Sequence, residues 1–215
     1  MNALLRSIFI SSFVIGISAC SILPQTTPTQ VLDPQPPVSA AAAAPVHWTL
    51  DVARPHTDPV RDSTRVLVRS PDGRLQVHAT ARWAATAPDL VQTLLVRRLR
   101  DRQVFDDARA GSGSGERLLT MDLRRFELDD GSALEAVIVL EARLHDAPRY
   151  GLQASRLFEQ RQPAASAEPG DLNAAFETAL AALFDALAEW LLEQSDPTDP
   201  ACTKHARSTD AIIVD

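Results

Sequence analysis

The sequence has two cysteines, Cys20 and Cys202, and one lysine, Lys204, among its 21 basic residues. Positive charge is outweighed: the formal net charge is −7, which argues against nucleic acid, whose phosphates need basic neutralisation. It also disfavours a body lying flat on anionic lipid. Apolar runs are short. The run from Ser7 to Ile17 falls below the ~20 residues a helix needs to span a bilayer. None of the five histidines is spaced i,i+4 from another or set in a cysteine cluster, so spacing provides no evidence for a metal site. The glycine-rich stretch Gly111-Ser112-Gly113-Ser114-Gly115 lacks the lysine and following hydroxyl residue of a phosphate loop. It also places Gly113, not serine, at its centre, and so fails as a nucleophile elbow. Asp129, Asp130, Glu168 and Asp171 fall in expected turns, where solvation and capping account for them. These absences leave no catalytic set, no cofactor and no metal to assign.

What is present begins at the amino terminus. Arg6 and the initiating amine precede a short apolar run that ends in Ile17-Ser18-Ala19-Cys20, the layout of an export signal. The last four residues resemble the bacterial lipobox, in which the cysteine thiol receives diacylglycerol before cleavage makes it the first residue. Residues 1–19 are therefore expected to be a signal peptide and Cys20 a lipidation site. Several acyl chains, at ~0.8 kcal/mol per buried methylene, make an effectively permanent anchor. By the same resemblance, Ser21 rather than aspartate after the cysteine implies sorting to the periplasmic face of the outer membrane. Removal of residues 1–19 takes away Arg6 and no acidic residue, so the mature charge is −7 − 1 = −8. With Cys20 acylated, Cys202 has no partner within the chain. It is read as incidental to a polar tail, with pairing to a second chain as the other reading.

Residues 20–45 carry Pro24, Pro28, Pro34, Pro36, Pro37 and an alanine run, with almost no charge, and read as a tether partly extended by proline. A single folded domain is expected over 46–194 and a polar tail over 195–215. Within the domain, Val46–Val52, Arg65–Arg69 and a strand with Leu75, Val77 and Ala79 on one face suggest a strand and a hairpin, the turn supplied by Ser70-Pro71-Asp72-Gly73. Thr86 is placed to cap a helix with Pro88 early in it and Leu90, Val91, Leu94, Leu95 and Leu99 as its stripe. Arg97, Arg98, Arg100 and Arg102 read as its solvated, charge-complementary end. Leu119–Phe126, the doubly apolar run 134–144 and Tyr150–Phe158 read as strands, the middle one interior. Leu172, Phe176, Leu180, Leu183, Leu187, Trp190 and Leu191 then make a closing helix. The expected fold is α+β, a mixed or mainly antiparallel sheet with two main helices packed on one side.

The order of these features resembles the ABC-type transport auxiliary lipoproteins, accessory components of mammalian-cell-entry-type lipid transport systems. The resemblance runs from the lipobox and tether through His47-Trp48-Thr49-Leu50 and Ser63–Arg69 to the block Ala81–Gln92, centred on Trp83. It continues through Leu123-Arg124-Arg125-Phe126, the 134–144 strand, Arg156-Leu157-Phe158 and the helix ending near Trp190. Ala87, where leucine is commoner, and the tail depart from it. The resemblance implies a noncatalytic accessory that couples a mammalian-cell-entry domain protein and its ABC transporter to the outer membrane; a structural lipoprotein joining envelope complexes without moving lipid is the alternative. It leaves a homo-oligomer open. The candidate partner-binding residues are Arg82 and Trp83, an arginine beside an aromatic ring being a common pairing in interface hot spots, while closure of the core edge is the competing reading of Trp83.

Overall fold

The computed structural model describes residues 28–38, 40, 46–111, 113 and 115–194; the expected signal segment, Cys20, Cys202 and the expected tail lie outside them. Eight strands form one mixed sheet. They are β1 (Gln30–Leu32), β2 (Val46–Val52), β3 (Arg65–Arg69), β4 (Leu75–Trp83), β5 (Phe105–Ala110), β6 (Arg117–Asp130), β7 (Leu134–Asp146) and β8 (Gly151–Pro163). Helix α1 (Ala87–Asp101) follows β4, and α2 (Pro169–Glu193) closes the described chain.

The sheet is organised around β6. One edge pairs antiparallel with β7 along the whole strand, and β7 pairs in turn with β8. The other edge is shared: β2 runs parallel to its first residues, His56 bridges to Asp122, and β3 runs parallel near Leu128 and Asp129. β7 is thus interior, which explains why Val137 and Ile138, on opposite faces, are both fully buried. The apolar stripes of both helices enter one cluster with the inward residues of the strands. Leu172, Phe176, Leu180, Leu183, Leu187 and Leu191 of α2 are wholly buried, and Trp190 meets Phe158 edge-on with ring centres 5.8 Å apart.

Several local features differ from the sequence reading. The proline-rich stretch contains β1, which pairs parallel with Ala81–Trp83 and buries Leu32. After it, the Gln35 amide donates to Glu177, Arg97 to the Gln35 side chain and Arg98 to the Pro37 carbonyl. Residues 30–38 therefore belong to the body, held by neighbours rather than by any periodicity of their own. Strand β5 was also unexpected: only Phe105 and Ala108 of its six residues are buried, too sparse a pattern to announce a strand.

The exit from α1 is built by Gln103 in the left-handed region (φ 51°), with the Gln103 amide bonded to the Arg100 carbonyl and the Val104 amide to Leu99. This is a Schellman closure made without glycine. At the other end, Thr86 occupies the capping position but its hydroxyl donates to Asp89 (2.5 Å) instead of accepting from a backbone amide. Arg54 joins both, 2.6 Å from Asp89 and 3.1 Å from the Thr86 hydroxyl.

Candidate partner-binding surface

Alternation along β3, β4 and β6 sorts their side chains onto two faces. Inward go Val66, Ala81, Trp83, Phe126 and Leu128, all in the main apolar cluster. Outward go Arg65 and Arg69 of β3, Arg82 of β4, and Arg125, Glu127 and Asp129 of β6. An irregularity in β4 sets its assignment. Leu67 pairs with Val77, yet Arg65 pairs with Arg82, so β4 inserts three extra residues, an odd number that reverses which side chains face the core. The face bearing Leu75, Val77 and Ala79 is consequently the outer one, with Val77 50% exposed.

This places the two sequence-derived site residues in opposite environments. Trp83 is fully buried, its ring 5.1 Å from that of Phe126 and 4.7 Å from that of Phe176, both near edge-to-face. It closes the core and offers no platform to a partner; its pairing with Arg82 as one exposed surface is corrected, because adjacent residues on a strand point to opposite faces. Arg82 is exposed. Its cross-strand neighbours are Arg65 on one side and Val31 of β1 on the other, giving an outward row of Val31, Arg82 and Arg65.

Beside that row is a buried carboxylate that no motif indicated. Glu127 has no exposed surface, and its oxygens accept from Arg69 Nε at 2.6 Å and Arg125 Nε at 2.8 Å, with Arg61 closing the other side. Burial pushes its carboxyl up, but hydrogen bonds from Arg69 and Arg125 and the nearby Arg61 charge outweigh this and hold it below its ordinary value. Asp129 takes a further bond from Arg125. A glutamate in alternating strand sequence normally signals a solvated face; only the three arginines converging from β3, β6 and the 53–64 connection reveal that it is enclosed.

Two other polar clusters are structural. Arg98 and Arg102 are buried and reach Asp185 on α2 at 2.7 and 3.1 Å, with Arg102 also on Glu189. They pin the helices together, which corrects their reading as a solvated helix end. The glycine-rich loop wraps Asp51: the amides of Gly113 and Gly115 each donate to one carboxylate oxygen at 2.8 Å, and Arg109 Nε to the other at 2.8 Å. A side chain at Gly115 would sit 2.9 Å from the Asp51 backbone nitrogen and 3.0 Å from the Arg117 carbonyl, so only glycine fits. A cavity of about 220 Å³ adjoins this loop beside Pro148 and Tyr150. Among the described residues there is no cluster of three or more histidine, cysteine or carboxylate groups disposed to hold a metal.

The model for the ABC-type transport auxiliary lipoprotein component matches residues 31–188. The chain belongs to this family. The match starts within β1, agreeing with a body that begins before the alanine run. A crystal structure from Xanthomonas campestris, assigned to the DUF330 family, is 32% identical, with a TM-score of 0.72 over 77% of this chain and 96% of that one. A second solved structure, of an uncharacterized protein, shares the fold at 15% identity, with a TM-score of 0.61 over 76% of this chain and 99% of that one. No curated protein matches.

Proposed function

We propose that the chain is a noncatalytic accessory lipoprotein of an ABC-type intermembrane lipid transport system, fixed through Cys20 to the periplasmic face of the outer membrane. The observation that carries this reading is the family match over the body, 31–188, preceded by Ile17-Ser18-Ala19-Cys20 in the same chain. In this reading the partner is the mammalian-cell-entry domain protein with its ABC transporter, and Arg82 lies on the surface that meets it. Because β1 is bound to the body, only residues 20–29 separate the anchor from it. At ~3.3–3.6 Å per residue these reach at most about 35 Å, so the body works close to its membrane.

Reconstitution tests the reading. The lipoprotein purified from membranes is expected to carry acyl mass on Cys20 and to co-elute with the purified mammalian-cell-entry component encoded beside it. An unmodified terminus elsewhere rejects the anchor. An acylated protein that ignores that component, together with neighbouring genes for peptidoglycan or secretion instead of transport, favours the structural alternative.

A further inference from the structure

Of the described arginines, Arg65 and Arg82 have neither an ion pair nor a side-chain hydrogen bond among the described residues, whereas Arg97, which also lacks an ion pair, bonds to Gln35. The two unpaired ones are directly opposite each other across β3 and β4. Like charges so placed repel, with side-chain bases about 5 Å apart. In a chain of net charge −7, with carboxylates enough to pair nearly every other arginine, folding puts these two side by side and supplies neither with an acid.

We propose that the Arg65–Arg82 pair is a docking point for an acidic segment of a protein partner, two carboxylates entering against the two guanidinium forks. The inference rests on the proposed function, in that the partner is taken to be the transport component. Guanidinium is the side chain best matched to carboxylate in geometry, because its donors form a planar fork. Val31, half exposed next to Arg82, adds an apolar flank of the kind that shields charged contacts from water. The network behind the pair keeps the surface rigid: Arg69, Arg125 and Arg61 are committed to Glu127 and do not compete for the incoming carboxylates. Charge favours protein over anionic lipid. The chain as a whole is negatively charged, which disfavours laying it on anionic lipid. The carboxylates of the same outer face, Asp122, Glu135, Glu141 and Glu159, are each held by an arginine, so a protein segment meets Arg65 and Arg82, which have no acid among the described residues.

The test uses the full lipidated chain in nanodiscs, with the purified mammalian-cell-entry component as the probe. Arg65→Gln/Arg82→Gln is compared with Arg143→Gln/Arg149→Gln, which removes the same charge elsewhere, and thermal unfolding is measured for each. The double variant of the pair is expected to fold normally and to bind at least about tenfold more weakly, with a flatter salt dependence, while the control pair binds as the parent does. Equal weakening by both pairs overturns the proposal, since net charge alone would then explain it. Parent-like binding by Arg65→Gln/Arg82→Gln overturns it while leaving the transport reading standing. Failure of the parent to bind removes the transport reading itself, and the inference with it. Protection of β3 and β4 amides from hydrogen exchange by phosphatidylglycerol over phosphatidylcholine nanodiscs, with no partner present and lost in the double variant, assigns the pair to lipid and also overturns it.

Discussion

On the inner face of β4, Trp83 is enclosed by Phe126 and Phe176, and one residue earlier on the outer face Arg82 stands in solvent next to another arginine. The inner face of these strands is held by carbon, in one cluster that runs from Leu32 to Leu191. The outer face is held by charge, with Glu127 and its three arginines at the centre. Packing energy of the inner kind involves no titrating group and is not screened by salt, and truncation there leaves a cavity. Stabilisation of the outer kind depends on each charge keeping its partners. Arg65 and Arg82 belong to neither arrangement, and that is what marks them as available.

The largest expected loss is on the inner face. Trp83→Ala should lower the unfolding free energy by about 4 kcal/mol, measured by urea denaturation, because it removes the ring against which two others pack. A loss under about 1 kcal/mol would mean that the ring is not a core element. On the outer face, Glu127→Gln should cost about 3 kcal/mol, since three guanidinium groups then surround a neutral amide. The two variants should separate with pH. The folded Glu127 carboxyl is held below its ordinary 4.5, so the unfolded chain takes up its proton first as pH falls. Its contribution is complete above about 4.5 and is lost as pH drops through the lower, folded value. Between pH 7 and pH 3 the parent and Trp83→Ala should therefore lose stability in parallel, with Glu127→Gln following a shallower course. The slope does not vanish, because Asp58 and Asp89 are also held low, Asp58 by its bonds to Arg61 against the opposing effect of burial and Asp89 chiefly by Arg54. A parallel course for Glu127→Gln would remove Glu127 as the titrating centre of this face.

The inner face was the more legible in the sequence. Long periodic runs, such as Leu172 to Leu191 and 134–144, identify their own buried sides because many apolar residues agree on one phase. Leu183 and Trp190 lie where that phase puts them. β1 and β5 were not legible, since three residues among prolines and two buried positions in six carry no phase, and both strands are held by parallel neighbours distant in sequence. Arg82 and Trp83 were found as a pair of unusual residues but not as residues on opposite faces. The reason is where the strand ends: with Trp83 read as following the strand that bears Leu75, Val77 and Ala79, the alternation that separates it from Arg82 is not applied, whereas β4 runs through Trp83. The Glu127 cluster was hidden for a different reason. Its arginines are 66, 58 and two residues away, and only the tertiary fold unites them.

The smallest expected effect is the one that tests whether the outer row is free of structural duty. Arg82→Gln removes one of two like charges facing each other across β3 and β4, and no partner is orphaned by the change. Its effect on unfolding free energy should fall within about 0.5 kcal/mol of zero, on the stabilising side. Arg65→Gln should do the same, because relief of a mutual repulsion is obtained by deleting either member. The double variant should gain no more than one single variant, since the repulsion is already gone; a double-mutant cycle reads this as a coupling energy of the repulsive sign. At ~1 M salt, where screening acts over about 3 Å, that coupling should shrink toward zero. Additive single effects with no coupling would show that the two guanidinium groups turn away from each other in solution. A loss beyond about 1 kcal/mol for Arg82→Gln would show instead that this arginine is tied into the body. The outer row would then be part of the charge framework around Glu127, and the contrast between Arg82 and its neighbour Trp83 would reduce to two ways of holding one fold together.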